Sequence, residues 1–320
     1  MMMTRYPISL RCFMLGLAVC LCVLFAGGTS LFAAEKPVKA SPHETLIFHA
    51  YKPSVTTADK QVRAKAKAAL NKMGLKRLEA LMDFIHIKNI YIRIDAYALV
   101  MKSKADAELP IILEKYLDSE HDRTRRYAAF FFSLLDTPEM APKLRPLLQD
   151  DKGRAFAIRA LGKWKDLESL PEITKDLKHE NERRRIMAVN ALRDIGDAAS
   201  AKPLIPLLDD PFFTVRYASE RALTSLGELA EAGLIAASQD GSTRRRRHAV
   251  SALGQMKSEA ARLTLNQLSN HEDWGLKGDA RRALAMLDGD IPITSDTSLE
   301  DKKTDGPTHP YVDSSELLID

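Results

Sequence analysis

The stretch RRRIMAVNALRDIGDAASAKPLIPLLD, Arg183 to Asp209, contains one whole unit of a pattern that recurs through most of the chain. Three arginines lead into an alanine-rich segment, Gly196-Asp197 supplies a turn, and a leucine-rich segment follows. The alanine spacing predicts a first helix, and the leucine-rich segment a second one opened by Pro203.

Outward from this unit, an A-x-x-A-L pattern places anchors at Leu70, Leu99, Phe132, Leu161, Leu192, Leu223, Leu253 and Leu284. The steps are 29, 33, 29, 31, 31, 30 and 31 residues. So regular a period outranks any local motif and marks stacked repeats. Four residues before the anchor stand Ala66, Ala128, Ala157, Ala188, Ala249 and Ala280; one before it stand Ala69, Ala98, Ala160, Ala191, Ala222, Ala252 and Ala283. Offsets of three, four and seven share one helix face, so small residues should line an inner stripe and let neighbouring helices approach closely. Gly74, Gly196 and Gly227 follow where a first helix must stop. Pro110, Pro142, Pro171 and Pro203 suit the first turn of a second helix. Each unit is then a helical hairpin whose apolar face must be covered by the next.

Seven residues before the anchor comes Arg63, Arg125, Arg154, Arg185, Arg216, Arg246 or Lys277, and only the second repeat breaks this, with Ile92 there and Arg93 beside it. A cation at a helix N-terminus opposes the helix dipole, so carboxylates of the acidic turns (Glu120/Asp122, Asp150/Asp151, Glu180/Glu182, Asp209/Asp210, Glu272/Asp273) should offset it.

A-x-x-A-L, Gly-Asp, Pro-x-Leu, Asp-Asp-Pro and Val-Arg, read from Ala188 to Leu223, resemble the HEAT-like repeats, most closely the short-repeat type first associated with phycobilin lyases. The resemblance covers about residues 61–287. It implies an all-α fold, a right-handed α-solenoid of about eight stacked hairpins of HEAT/armadillo type. It also implies an Asp/Arg ladder along the stack, with Arg125, Arg154, Arg185, Arg216 and Arg246 as its basic members. Repeats two and three depart from the pattern: Asp95 and Phe131/Phe132 replace small residues, which should alter the curvature or expose an aromatic patch.

Outside the repeats, residues 1–34 have the parts of a secretory signal: Arg5 and Arg11, then CFMLGLAVCLCVLFA, then the small residues of GGTSLFAA. Cleavage after Ala33 or Ala34 fits, and so does an uncleaved signal anchor, because the uncharged run is long enough to span a bilayer. Either places the rest in the periplasm or outside the cell. Residues 35–60 hold three prolines and read as a linker or irregular N-terminal cap, with Leu46-Ile47-Phe48 as a docking point. Residues 288–320 read as an acidic disordered tail, with YVDSSELLID as a short docking motif. From Asp288 on, nine acids face two lysines, a charge of −7; with +2 on residues 1–11 this leaves the body between at +9 within the overall +4. The three cysteines, Cys12, Cys20 and Cys22, all lie in the apolar run, so a cleaved protein has no thiol for a disulfide, a nucleophile or a metal.

The arginine clusters Arg123/Arg125/Arg126, Arg183–Arg185 and Arg244–Arg247 invite a polyanion reading. Successive helical residues point about 100° apart, so each cluster has one ladder member, and Arg126, Arg184, Arg245 and Arg247 are the solvent-facing interaction candidates. Aromatics are not interleaved with the arginines along the chain, and a nucleic-acid partner is not expected. His121, His179 and His271 lie in successive polar turns, too far apart to share a metal. Trp164 and Trp274 read as packing or edge residues. With no nucleophile elbow, P-loop or dinucleotide fingerprint, the expectation is no catalytic residue, no cofactor and no metal. The leading function is an exported scaffold that binds a protein or peptide on a concave surface of second helices. The alternatives are binding of an acidic polymer or an anionic membrane surface, and a lyase-like enzyme accessory.

Overall fold

The computed structural model describes residues 43–52, 56–87 and 89–291; the signal segment and the tail beyond residue 291 lie outside them. The described elements are helical, with no strand among them. Helix α1 (Glu44–Tyr51) precedes seven pairs of a first and a second helix. The pairs are α2 (Thr57–Lys72) with α3 (Arg77–Asp83), α4 (Ile90–Lys102) with α5 (Glu108–Glu114), α6 (Asp122–Leu134) with α7 (Ala141–Leu144) and α8 (Arg154–Lys163) with α9 (Leu170–Lys175). They continue as α10 (Glu182–Ile195) with α11 (Ala198–Leu204), α12 (Phe213–Leu226) with α13 (Glu228–Gln239) and α14 (Thr243–Gln255) with α15 (Arg262–Leu268). A single helix, α16 (Trp274–Asp288), closes the stack, so the eighth unit contributes only its first helix to the described residues.

The unit from Arg183 to Asp209 shows how the local rules act. The Asn181 side chain accepts the amide of Arg183 and caps α10, and Gly196 ends it with φ of 71°, which a residue with a Cβ adopts only at a cost. Asp197, not Pro203, opens the second helix, by accepting the amide of Ala199. Pro203 lies inside α11, and Pro206 then withholds the next amide, so the chain tightens into a 3-10 turn over Ile205–Asp209. Pro110, Pro142 and Pro171 do fall in the first turns of α5, α7 and α9.

From α4 onward, each first helix packs against the next, and second helices pack against the first helices that follow them. Leu70, Phe132, Leu161, Leu192, Leu223 and Leu253 are buried at equivalent places along this layer. Burying each contributes roughly 1.5–3 kcal/mol. The approach is closest where the stripe holds glycine. A Cβ at Gly162 would lie 2.8 Å from the Ala191 backbone, and one at Gly254 would lie 2.7 Å from the Ala283 backbone.

The second repeat corrects the alignment. Ala98, assigned to the inner stripe, is exposed, whereas Val100, Ala96, Arg93 and Ile92 are buried. The anchor there is Val100 rather than Leu99. This restores alanine at four before and arginine at seven before, and the irregular steps of 29 and 33 become 30 and 32. Asp95 then faces sideways, and it accepts the Tyr51 hydroxyl of α1 at 2.6 Å. Helix α1 is itself a correction to an irregular cap: Ile47, Ala50 and Tyr51 are buried, Leu46 is half-buried, and only Phe48 of the Leu46-Ile47-Phe48 trio stands exposed.

The aromatic patch expected of repeat three does not form. Phe131 and Phe132 are fully buried, Phe130 packs edge-on against Phe156, and Phe132 against Trp164, whose indole N–H donates to the Leu135 carbonyl. Larger side chains on this helix face are matched by aromatic neighbours, which fill the extra space. Among the described residues no helix is long and apolar enough to cross a membrane.

The close approaches set a test. Gly162→Ala should destabilise the protein by about 1–3 kcal/mol in urea unfolding, because backbone rather than a movable side chain stands in the way. Gly278→Ala, in α16 with nothing within 4 Å of a built Cβ, should be neutral or stabilising by up to about 1 kcal/mol.

Candidate interaction face

Each ladder arginine starts at the N-terminal end of a first helix, yet its guanidinium turns back. Arg125 donates to the Ser119 carbonyl (2.7 Å), Arg154 to Leu148, Arg185 to His179 (2.7 Å) and Arg216 to Asp210 (2.7 Å), always six residues earlier. Arg93 reaches the Ile87 carbonyl in the same relation at 3.4 Å. Several of these carbonyls end the preceding second-helix turn, where no intrahelical donor is left. The arginine therefore meets the negative end of one element while rooted at the positive end of the next, which removes the expected dipole conflict.

The partnering carboxylate stands where the arginine's own second-helix segment ends and turns to the next repeat. Arg125 pairs with Asp150 (2.9 Å), Arg154 with Asp176 (2.9 Å) and Arg185 with Asp210 (2.8 Å). Burial works to raise the Asp150 carboxyl, but Arg125 and the amides of Lys152 and Gly153 outweigh it and hold it below the usual carboxylate range. Beyond Arg185 the ladder changes character. Arg216 directs its Nε to His248 Nε2 (3.3 Å), and Arg246 directs its Nε to the Ser238 carbonyl (3.0 Å).

The four interaction candidates do not form one free basic edge. Arg184 is held by Asp176 (3.2 Å) and Asp151 (3.5 Å), so it belongs to the ladder rather than to solvent. Arg126 is half-buried over the Tyr127 ring, and burial pulls its guanidinium below the ordinary value. Arg245 lies half-buried beside Gly241, with its Nε lacking an acceptor. Arg247 is half-exposed and pairs with Asp279 of α16 (2.6 Å).

Arg247 belongs to a cluster that the repeat pattern hid. Glu220, on α12, is buried where other repeats place Ala129, Ile158, Val189 and Val250. Its carboxylate accepts from Ser251 (2.6 Å) and Gln255 (2.7 Å) and meets His248 Nδ1 at 2.6 Å. On the other side of the ring, His248 Nε2 lies 3.3 Å from Arg216 Nε. Serine and histidine both turn to the carboxylate rather than to each other, so the hydroxyl is not activated as a nucleophile. A charged residue at an apolar repeat position must recruit such partners, and that break at Glu220 was the available signal.

Beside this network opens a hollow of about 520 Å³, lined by Phe213, Arg216, Arg244, Arg247, His248 and Asp279 among others. Around it aromatics and arginines come together, mostly from successive turns of α12. Phe213 stacks on Tyr217 (5.9 Å), Arg216 lies over Phe213 (5.6 Å), Arg221 over Tyr217 (5.9 Å) and Arg185 over Phe212 (5.3 Å). Phe213 is 62% exposed and Trp274, which opens α16, is 87% exposed. The Arg247 guanidinium lies 3.2 Å from where a Cβ on Gly275 would stand, next to that tryptophan. Aromatics and arginines alternate along residues 212–221, which corrects the reading that they are not interleaved.

Two further hollows are also basic. One of about 830 Å³ is lined by Lys52, Lys60, Arg63 and Lys67, the other, about 740 Å³, by Arg123, Arg126 and Lys152 with His86 and His121, against the acids Glu120 and Asp122. In the second, His121 stacks on His86 (4.0 Å), and burial first and His121 second pull His86 below its usual value. His179 and His271 serve their turns, with Nδ1 accepting the amides of Asn181 and Asp273 (3.0 Å each). The described residues contain no group of three or more metal-ligating side chains placed to hold an ion.

Two measurements check the ladder. Arg154 and Asp176 have side chains only 9% and 6% exposed, so Asp176→Asn, which leaves the buried guanidinium with Glu172 alone (3.2 Å), should cost about 1.5–3 kcal/mol. Asp194→Asn, at the exposed pair with Arg193, should change stability by less than about 1 kcal/mol. Asp150 has a depressed folded value, so its contribution is complete above about pH 4 and is lost as the pH falls through that folded value. Urea unfolding between about pH 5 and pH 3 should therefore show a shallower acid loss in Asp150→Asn than in the parent.

Residues 141–224 match the family of HEAT repeats. Among curated proteins, none matches the chain in sequence. An engineered protein shares 17% identity, over 77% of this chain and 78% of its own, with a TM-score of 0.46. The archaeal HEAT-like repeats protein from Thermococcus onnurineus NA1 shares 14%, over 65% and 96%, with a TM-score of 0.42. Human deoxyhypusine hydroxylase in complex with glycerol shares 16%, over 77% and 96%, with a TM-score of 0.34. Overlaps this loose say nothing about activity, and the finer likeness to the phycobilin-lyase type finds no counterpart among them. Residues 141–224 thus form HEAT repeats, and paired helices continue on either side of them.

Proposed function

We propose that the chain is an exported, non-catalytic HEAT-repeat scaffold that docks a protein or peptide with acidic and apolar side chains. Stacked repeats of this kind present long surfaces to such partners. The reading rests chiefly on the cluster of Phe212, Phe213, Tyr217 and Trp274 among Arg216, Arg221, Arg244 and Arg247. Exposed aromatics beside arginines are the residue types that anchor interfaces. The docking face thereby moves from the second helices to the N-terminal turns of the first helices. On the second-helix side, Ile111, Leu229 and Leu263 stand exposed in separate repeats with no comparable cluster. Export is supported by the sequence of residues 1–34 alone.

The two basic hollows nearer the N-terminus favour a second reading, an acidic polymer or anionic lipid surface. A lyase-like accessory role has only the sequence resemblance behind it.

A photocrosslinking residue at Phe213 or Trp274, in the native host, should trap one common protein, and the same residue at Leu263 should not. Arg244→Glu with Arg247→Glu should abolish that adduct. If positions 213 and 274 trap nothing in common, the scaffold reading fails. Salt-sensitive retention on anionic vesicles without any protein adduct would favour the second reading instead.

A further inference from the structure

The occupant of the arginine–aromatic hollow can be sought within the chain itself. The hollow's two carboxylates are already engaged: Glu220 by His248, Ser251 and Gln255, and Asp279 by Arg247. Arg244 is exposed and makes no ion pair among the described residues. The face is thus short of negative charge and rich in bare aromatic surface, with Phe213 and Trp274 at its rim.

Residues 292–320 carry both complements. Seven acids stand there against two lysines, and the last ten residues, YVDSSELLID, combine Asp313, Glu316 and Asp320 with Tyr311, Val312, Leu317, Leu318 and Ile319. Distance allows the meeting. The described chain leaves α16 at its C-terminal end, and the hollow lies near its N-terminal end, some 15 residues back along the helix. That return is about 22 Å at 1.5 Å per residue. The twenty residues from Ile291 to Tyr311 can extend up to about 66 Å, three times what is needed. A tethered segment also acts at a high effective concentration, so modest complementarity suffices.

We propose that the acidic C-terminal segment Tyr311–Asp320 occupies the hollow between Phe213, Arg244, Arg247 and Trp274 of its own chain. It shields that face until a partner with a stronger acidic and apolar motif displaces it. The proposal uses the same face as the scaffold reading, but its test needs no partner, so either can fail alone.

The chain holds two tryptophans: Trp164, 8% exposed, and Trp274, 87% exposed. Acrylamide quenching of the full chain therefore reports the cover of Trp274, with Trp274→Phe supplying the background from Trp164. At 0.1 M salt quenching should be weak. It should rise several-fold at 1 M salt, where the Debye length falls from about 10 Å to about 3 Å. The full chain bearing Asp313→Asn, Glu316→Gln and Asp320→Asn should be quenched strongly at both salt levels, as should Arg244→Glu. Cover that ignores the tail substitutions, or strong quenching of the parent at low salt, overturns the proposal. Cover that grows with protein concentration also overturns it, because the segment would then belong to a second copy.

Discussion

How near one first helix can come to the next is the constraint on which the rest of the structure depends. A hairpin of this size has an apolar face that it cannot cover itself, and the only cover is the following hairpin. The face closes because alanine and glycine stand where the helices cross, with Gly162 against the Ala191 backbone and Gly254 against Ala283. The anchors beside them (Val100, Phe132, Leu161, Leu192, Leu223 and Leu253) then reach full burial in the interior layers. Larger side chains are accepted only where neighbours rearrange around them, as Phe131 and Phe132 are by Phe130, Phe156 and Trp164.

Close stacking creates a second problem, and the arginines answer it. The turn between repeats brings the carbonyl end of one element against the amide end of the next and buries both. A long cation rooted at the amide end can satisfy the carbonyls of the preceding repeat, and the carboxylate that neutralises it stands at the far end of its own hairpin. Arg125, Arg154 and Arg185 thus tie successive layers together by charge at the edge of the apolar core. Past Arg185, the same arginine position serves a hydrogen-bonded network around Glu220 and His248 instead. The structural ladder gives way there to the open face with Phe213, Arg244, Arg247 and Trp274. Structure and recognition use one residue type, and what separates them is whether the stack buries the guanidinium or leaves it exposed.

Much of this could be read from the chain in linear order. Period, helix pairing, the inner alanine stripe and the arginine position follow from short-range spacing, because each reflects contacts between a residue and its own helix or the next repeat. The second repeat shows the limit. Leu99 and Val100 are both apolar, so spacing alone could not choose the anchor, and only the buried Arg93 and Ala96 fix the register. The second helices show another: Pro203 reads as a start signal, yet Asp197 makes the capping bond.

The sequence by itself determined that the chain would be stacked helical hairpins with arginines at each junction, because those features repeat and repetition is visible without coordinates. Only the tertiary structure decided which arginines are consumed by the stack and which remain to meet a partner. Arg184 and Arg244 occupy similar clusters, but one lies between Asp176 and Asp151 and the other beside an open hollow. Phe213 and Arg247 are 34 residues apart in the chain and line the same hollow, since a first helix meets its neighbour one repeat later. That distinction depends on what the adjacent layer presents, and no single repeat contains it.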